Sequence, residues 1–241
     1  MSLRTLSWTL ILPTAASIVF EPASAQTLPD VTVTASPLNP AEPSMVQPAT
    51  VLRDATLDRQ RDGSLGSTLS QQPGVQESGF GISAGRPVIR GLDGPRVKIT
   101  QGGLDVADAS SLSPDHAVAT DPLAARRIEV LRGPATLLYG GGAIGGLVNV
   151  VNERIPLTRL GAVRGQALAS ADTGTGGHAS ALGLRGGANG WNWTVDGFDR
   201  GAGNYRFPGT AVDGDPDSAR GRLPNSGARG RGFGTGLSYV G

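Results

Sequence analysis

Arg126-Arg127-Ile128-Glu129-Val130-Leu131-Arg132-Gly133-Pro134-Ala135-Thr136-Leu137-Leu138-Tyr139-Gly140 is followed, after two more glycines, by Ala143-Ile144-Gly145-Gly146-Leu147-Val148-Asn149-Val150-Val151. Residues 128–131 form a short run rich in β-branched and apolar side chains and read as a strand. Gly133-Pro134 breaks that strand, and residues 135–139 read as a short helix that the glycines at 140–142 end. Residues 147–151 read as a second strand. Strand, break, helix and strand within so short a span point to a mixed α+β unit rather than a helical bundle. The glycine cluster 140–146 resembles a phosphate loop only superficially, because it lacks the closing Lys-Ser/Thr and the preceding strand.

Upstream, residues 64–69 read as a short helix stopped by Pro73-Gly74. Residues 87–90 and 96–99 look like two strands around the turn residues Asp93-Gly94-Pro95. Asp121-Pro122 is a helix start, with an N-cap carboxylate ahead of a proline at the first helical position. These signals delimit an α+β domain over residues 51–156. Residues 26–50, with Pro37, Pro40, Pro43 and Pro48, read as an extended arm. Within that arm, Asp30-Val31-Thr32-Val33-Thr34-Ala35 alternates and is dense in β-branched residues. It suits either an ordinary first strand or strand addition to another protein's sheet edge. Residues 1–25 have a positive Arg4, an interrupted apolar core and a small-residue Ala23-Ser24-Ala25 site. That is the form of a secretory signal peptide, which would place the processed chain outside the cytoplasm.

Downstream, residues 162–170, 179–187, 191–198 and 233–240 are candidate strands of transmembrane length. In the third, Trp191, Trp193 and Val195 share one face, and Asn192, Thr194 and Asp196 the other. Residues 201–231 make a long polar excursion between strands. The same alternation would serve an antiparallel soluble sandwich, so periodicity alone leaves barrel and sandwich open. The 37 glycines and 17 prolines fit tight turns and closely approaching backbones. A net charge of +1 argues for no nucleic-acid partner, and the absence of cysteine removes thiolate metal sites, disulfides and cysteine nucleophiles. No Ser-His-Asp order, HExxH helix or pair of catalytic carboxylates stands out, so an enzyme is not expected.

The stretch 126–151 resembles the signature of the TonB-dependent outer-membrane receptor plug. Val88-Ile89-Arg90-Gly91 and Leu69-Ser70-Gln71-Gln72-Pro73-Gly74-Val75 match further plug segments, and residues 30–35 resemble the TonB box of the family. The resemblance implies an α+β plug followed by the first antiparallel strands of a transmembrane β-barrel. Residues 157–241 would supply about four of the roughly 22 strands of a plugged barrel, so the chain is expected to be a truncated part of a receptor. It also implies the cell outer membrane and its lipid as the setting. Uptake of a scarce ligand would be driven by TonB and its inner-membrane motor complex, which would engage Asp30, Val31, Thr32, Val33, Thr34 and Ala35 by β-augmentation. Arg90, Arg132 and Glu129 are carried over as plug–barrel contacts; local salt bridges are the alternative for the arginines.

Only two histidines occur. Asp115-His116, on a turn in Asp-His-Ala-Val-Ala-Thr-Asp-Pro-Leu, resembles the zinc-uptake branch, where the matching pair helps hold zinc with further ligands from the barrel. An Asp-His pair can present oxygen and nitrogen to a borderline metal, although such a pair is more often hydrogen-bonded locally. Siderophore-iron, haem and cobalamin are the alternative ligands, and a soluble periplasmic β-sandwich binding module is the alternative class. His178, at the start of a strand, reads as a rim residue. Asp213, Asp215 and Asp217 begin like an EF-hand but lack its glycine and closing glutamate.

Overall fold

The computed structural model describes residues 49–215 and 217–241. The expected signal peptide at 1–25 and the expected TonB-box segment from Asp30 to Ala35 lie outside the described residues. The chain opens with β1 (Ala49–Arg53), α1 (Asp54–Gln60) and α2 (Leu65–Leu69), followed by β2 (Val75–Gly79), β3 (Gly85–Ile89), β4 (Val97–Gln101) and β5 (Leu104–Asp105). After a loop come β6 (Arg127–Leu131) and β7 (Gly146–Val151). β1, β6, β7, β4 and β5 form one sheet in that order, with β4 parallel to β7 and the other neighbours antiparallel. β2 and β3 make a separate hairpin.

β6 and β7 sit inside the sheet and are covered on both faces, which explains their nearly continuous burial. On one face Ile128, Val130, Val148 and Val150 join Val97 and Ile99 of β4 in a core with Leu57 of α1 and Leu65 and Leu69 of α2. On the other face Glu129 lies opposite Asn149, which lies opposite Thr100. Asn149 Nδ2 donates to Glu129 Oε2 at 2.9 Å, and its Oδ1 accepts from Thr100 Oγ1 at 3.1 Å and from the Gly103 amide at 2.8 Å. The buried carboxylate is thus hydrogen-bonded, as burial of such a group requires. Ser64 caps α2 in a reciprocal capping box with Ser67.

Several sequence expectations are corrected here. β3 and β4 both exist but do not pair with each other, because the apolar Val97 and Ile99 of β4 are placed beside β7 in the core, and β3 is taken by β2. Asp121 does cap a helix, accepting from the Leu123 amide at 2.9 Å, but Pro122–Ala124 is only one 3-10 turn before the chain extends into β6. Residues 134–139 are likewise 3-10 helix. β1, α1 and β2 carried too little periodicity to be seen in the sequence.

The remaining long strands are β8 (Arg164–Asp172), β9 (Gly177–Ala188) and β10 (Trp191–Ala202), then, beyond the short pair β11 (Arg206–Thr210) and β12 (Arg220–Arg222), β13 (Ala228–Tyr239). β8, β9, β10 and β13 form an antiparallel meander. Asn189 and Gly190, with φ of 52° and 83°, make the two-residue turn from β9 to β10. Left-handed dihedrals at both positions match the twist of a hairpin, and Asn-Gly tolerates them. The long excursion after β10 is therefore partly ordered by the β11–β12 pair. No helix among the described residues is long and apolar enough to cross a membrane, which has no bearing on strands.

One face of this meander carries Leu182 and Leu184 of β9, Trp191, Trp193 and Val195 of β10, and Phe233, Leu237 and Tyr239 of β13. Of these, Phe233 is 84% exposed and Leu237 64%. The opposite face carries Gln166, Arg185, Asn192, Thr194, Asp196 and Arg200, and it lies against the α+β domain. This inverts the pattern of a water-soluble sheet, in which apolar residues point toward the covered side. Apolar residues outward and polar residues inward is the pattern of a strand bounded by lipid on one side and a polar lumen on the other.

Candidate functional site

The region with the densest functional chemistry is the seam between the α+β domain and the inward face of the meander. The segment 152–161, which joins them, is strapped to that face. Thr194 Oγ1 donates to the Arg154 carbonyl at 2.7 Å, and Arg154 donates to both oxygens of Asp196 at 3.0 and 3.1 Å. Asn192 Oδ1 accepts from the Leu160 amide at 2.7 Å, and Ser238 Oγ donates to the Pro156 carbonyl at 2.7 Å. Room for the strap comes from glycine. Inward positions 230, 232, 234 and 236 of β13 are all glycine, and a Cβ at 234 or 236 would overlap Arg154 itself.

Charged groups bridge the seam elsewhere. Arg127 reaches Glu129 at 2.8 Å and Glu153 at 2.7 Å, and Glu153 also accepts from Arg185 of β9 at 2.9 Å. One relay thus runs from the buried sheet of the α+β domain to a meander strand. Arg126 donates to Gln166 of β8 at 2.7 Å, and Gln166 donates in turn to Asp58 of α1 at 3.0 Å. Arg200 of β10 pairs with Asp121 at 3.2 Å and also donates to the Gly63 carbonyl. Burial lowers the Arg61 and Arg126 guanidinium values. Burial also raises the Asp121 carboxyl, while Arg200, the Leu123 amide and Arg61 oppose that rise. A seam built from such pairs can reform its hydrogen bonds with water when the domains separate, which an apolar interface cannot do.

Next to the seam lies an open cleft of about 840 Å³, bounded by Glu77, Phe80 and Ile82 of the α+β domain, by Asp172 at the end of β8, and by Tyr205 in the excursion. Its mixture of aromatic, apolar and carboxylate groups could receive a small chelate as readily as a bare cation.

The expected site residues fall in different places. Asp115 and His116 lie on an exposed turn, with His116 Nδ1 3.0 Å from Asp115 Oδ1. Hydrogen bonds from Ser113 and then His116 hold the Asp115 carboxyl below its ordinary value, so it is ionised at neutral pH. The described residues contain no group of three or more His, Asp or Glu side chains placed to hold a metal, and Asp213, Asp215 and Asp217 form none. Arg90 is exposed at a left-handed φ of 52°, and its side chain has no partner among the described residues. Arg132 donates to the Pro73 carbonyl and to Thr50 Oγ1, both within the α+β domain. Glu129 is likewise turned into that domain, where its partners include Asn149 and Arg127. Contacts to the meander are made by Asp58, Asp121, Arg126, Glu153 and Arg154, none of which sequence reading named as a plug–barrel contact. The alternating glycines of β13 were the available signal for the strap, because a row of glycines on one face of a strand marks a close backbone approach.

Residues 42–147 match the family described as the TonB-dependent Receptor Plug Domain. Among solved structures, the ferric enterobactin receptor PfeA of Pseudomonas aeruginosa is similar over 81% of this chain and 31% of its own, at 19% identity and a TM-score of 0.59. The siderophore receptor PirA of Acinetobacter baumannii is similar over 80% and 29%, at 19% identity and a TM-score of 0.58. The copper transporter OprC is similar over 66% and 24%, at 25% identity and a TM-score of 0.55. This chain therefore spans less than a third of the length of these solved receptors. Its α+β domain is the part that matches the plug family, and the antiparallel strands that follow are arranged as in the N-terminal part of these solved structures.

Proposed function

We propose that this chain is the N-terminal part of a TonB-dependent outer-membrane receptor that takes up a scarce metal nutrient and is not an enzyme. The observation that carries this reading is the ion-paired, strapped seam between a plug and strands whose apolar residues face away from it. A plug held by polar contacts can be displaced without exposing an apolar core, whereas its own sheet stays intact around Ile128, Val130, Val148 and Val150. The outer membrane has no ATP, so displacement would be driven from the periplasm by TonB and its inner-membrane motor, paired strand to strand with residues 30–35. Val33→Pro removes a backbone donor from that pairing. Uptake in cells should be abolished while ligand binding to the purified receptor is retained, and unchanged uptake would overturn the TonB-box assignment.

Zinc is the first candidate ligand. Its support is the adjacent, ionised Asp115 carboxylate and His116 imidazole on an exposed turn, with further ligands to be supplied by other segments of the receptor. Calorimetric zinc titration of the complete receptor, wild type against Asp115→Ala/His116→Ala, tests it. Loss of affinity with an intact fold supports the zinc reading, and unchanged affinity returns the pair to local hydrogen bonding. The second reading is a metal chelate of the siderophore type, favoured by the 840 Å³ cleft with Phe80 and Tyr205 on its wall and by the receptors named for ferric enterobactin and siderophores among the similar structures. A receptor that binds a ferric chelate but not zinc would establish that reading in place of the first.

A further inference from the structure

On the outward face of the meander, the apolar band stops abruptly. Along β13 the outward positions run Tyr239, Leu237, Thr235 and Phe233, and then Arg231 and Arg229. Beside them on β10 run Trp191, Trp193, Val195 and Gly197, then Asp199, and on β9 Leu184 and Leu182, then Ser180 and His178. No charged residue occupies these outward rows until the level of Asp199 and Arg231, which are directly paired across the strands.

At the opposite end of the band Trp191 and Tyr239 meet edge to face, with ring centroids 5.2 Å apart, as expected of an aromatic girdle at a membrane boundary. From Tyr239 to Arg231 the strand advances about 27 Å at roughly 3.4 Å per residue. A tilt of about 40° reduces this to a height of about 21 Å, and Arg229 stands about 5 Å higher, so the two arginines bracket the upper edge of a band about 25 Å tall. The short Asn189-Gly190 turn lies at the Trp191 end and the long excursion at the arginine end, which makes the latter the extracellular side.

The cluster has cations to spare. Asp199 takes Arg231 Nε at 2.6 Å on one oxygen and approaches His178 Nε2 at 3.0 Å on the other. Arg231 is 82% exposed, and its two terminal nitrogens have no partner among the described residues; the same is true of the exposed Arg229 side chain. A guanidinium facing sideways at this height meets headgroups rather than open water. Phosphate is the headgroup anion that two guanidinium forks recognise best.

From this placement we infer that Arg229 and Arg231, with Asp199 fixing the orientation of Arg231, form a binding site for the phosphate groups of an outer-leaflet lipid. The inference rests on the barrel reading of the strands but not on the ligand transported.

The test titrates the complete receptor, delipidated in a nonionic detergent, with lipid A and with enzymatically dephosphorylated lipid A, and reads bound lipid by native mass spectrometry. Wild type should bind the dephosphorylated form about tenfold more weakly, equivalent to the loss of one charge-assisted contact. Arg229→Gln/Arg231→Gln should bind lipid A about tenfold more weakly while keeping the heat-modifiable gel mobility of a folded barrel. Arg220→Gln/Arg222→Gln, which removes the same charge from the excursion, should bind as wild type does. Equal binding of the two lipid forms by wild type overturns the proposal, and this comparison decides alone if the arginine variant fails to fold. Equal loss in the excursion variant, or inorganic phosphate binding as tightly as the lipid, overturns it too. A protein that does not enter micelles at all would refute the barrel reading itself, whereas an embedded receptor indifferent to lipid phosphate refutes only this site.

Discussion

Replacing Gly236 with alanine tests whether the row of glycines on β13 exists to admit the strap. The added Cβ would stand 2.7 Å from the Arg154 carbonyl carbon and 2.8 Å from Thr194 Oγ1, and it would overlap the Arg154 oxygen outright. Its obstacle is backbone rather than the end of a flexible side chain, so the strap must lift. Lifting it loses the Thr194–Arg154 hydrogen bond, about 1 kcal/mol. It also loosens the Arg154–Asp196 pair, whose side chains are 29% and 21% exposed. That partial exposure holds the pair to about 1 kcal/mol rather than the 2–3 of a dry one. The sum, about 2 kcal/mol, corresponds to a roughly thirtyfold rise in the open population of the segment. Trypsin cleavage after Arg154 and Arg159 in the folded, micelle-embedded receptor reads that population when reclosing outpaces cleavage. Gly197→Ala is the control: it lies on the outward face with its nearest neighbours at 3.5 and 3.9 Å, so cleavage should stay at the wild-type rate. If Gly236→Ala is cleaved within about threefold of wild type, the strap is not held as described.

Arg86 is 2% exposed and pairs with Asp108 at 2.7 Å. Arg86→Met should lower plug stability by about 3–5 kcal/mol in urea unfolding, because Asp108 is left buried and unpaired, and Arg86→Met/Asp108→Asn should recover most of the loss. Glu153→Gln weakens both halves of the Arg127–Glu153–Arg185 relay. With Glu153 36% exposed, the expected loss is about 1 kcal/mol, seen as a small fall in Tm with native circular dichroism retained. Asp121 is raised above its ordinary 3.8 by burial. The folded chain therefore holds that proton more tightly than the unfolded chain, and the stability contribution grows as pH falls through the folded value and is complete below the unfolded one. Asp121→Asn should remove this acid-side gain, measured as the difference in Tm between about pH 6 and about pH 4 relative to wild type.

The stretch 126–151 made the α+β domain legible because β6 and β7 are central strands, and only continuous apolar β-branched runs such as Ile128 to Leu131 and Leu147 to Val151 can be buried on both faces. Asp121 before Pro122 likewise announced its cap, since capping is a local hydrogen bond, whereas Ser64, read as the first residue of a helix, is the cap of α2. β1 escaped notice because it takes its stability from β6, a partner remote in sequence, and β2 because Val75 to Gly79 carries too little apolar periodicity, although its hairpin partner β3 follows closely. Asp115-His116 could be read as an adjacent pair. Glu129 and Arg132 gave no sign in the sequence that they bond inside the plug, since their partners Asn149 and Thr50 are 20 and 82 residues away.

The sequence by itself determined that residues 191–198 alternate, because the side-chain period of a strand is two whatever surrounds it. It could not say which row faces solvent, lumen or lipid, because periodicity is the same for a sandwich and a barrel. Tertiary structure decided that. Asp196 is turned toward Arg154 and Arg200 toward Asp121, which leaves Trp191, Val195, Phe233 and Leu237 on the outside. Gly234 and Gly236 of β13 were equally visible in the sequence, but their reason lies in Arg154, 80 residues before Gly234, whose guanidinium passes where a side chain at 234 would stand and whose backbone passes where one at 236 would.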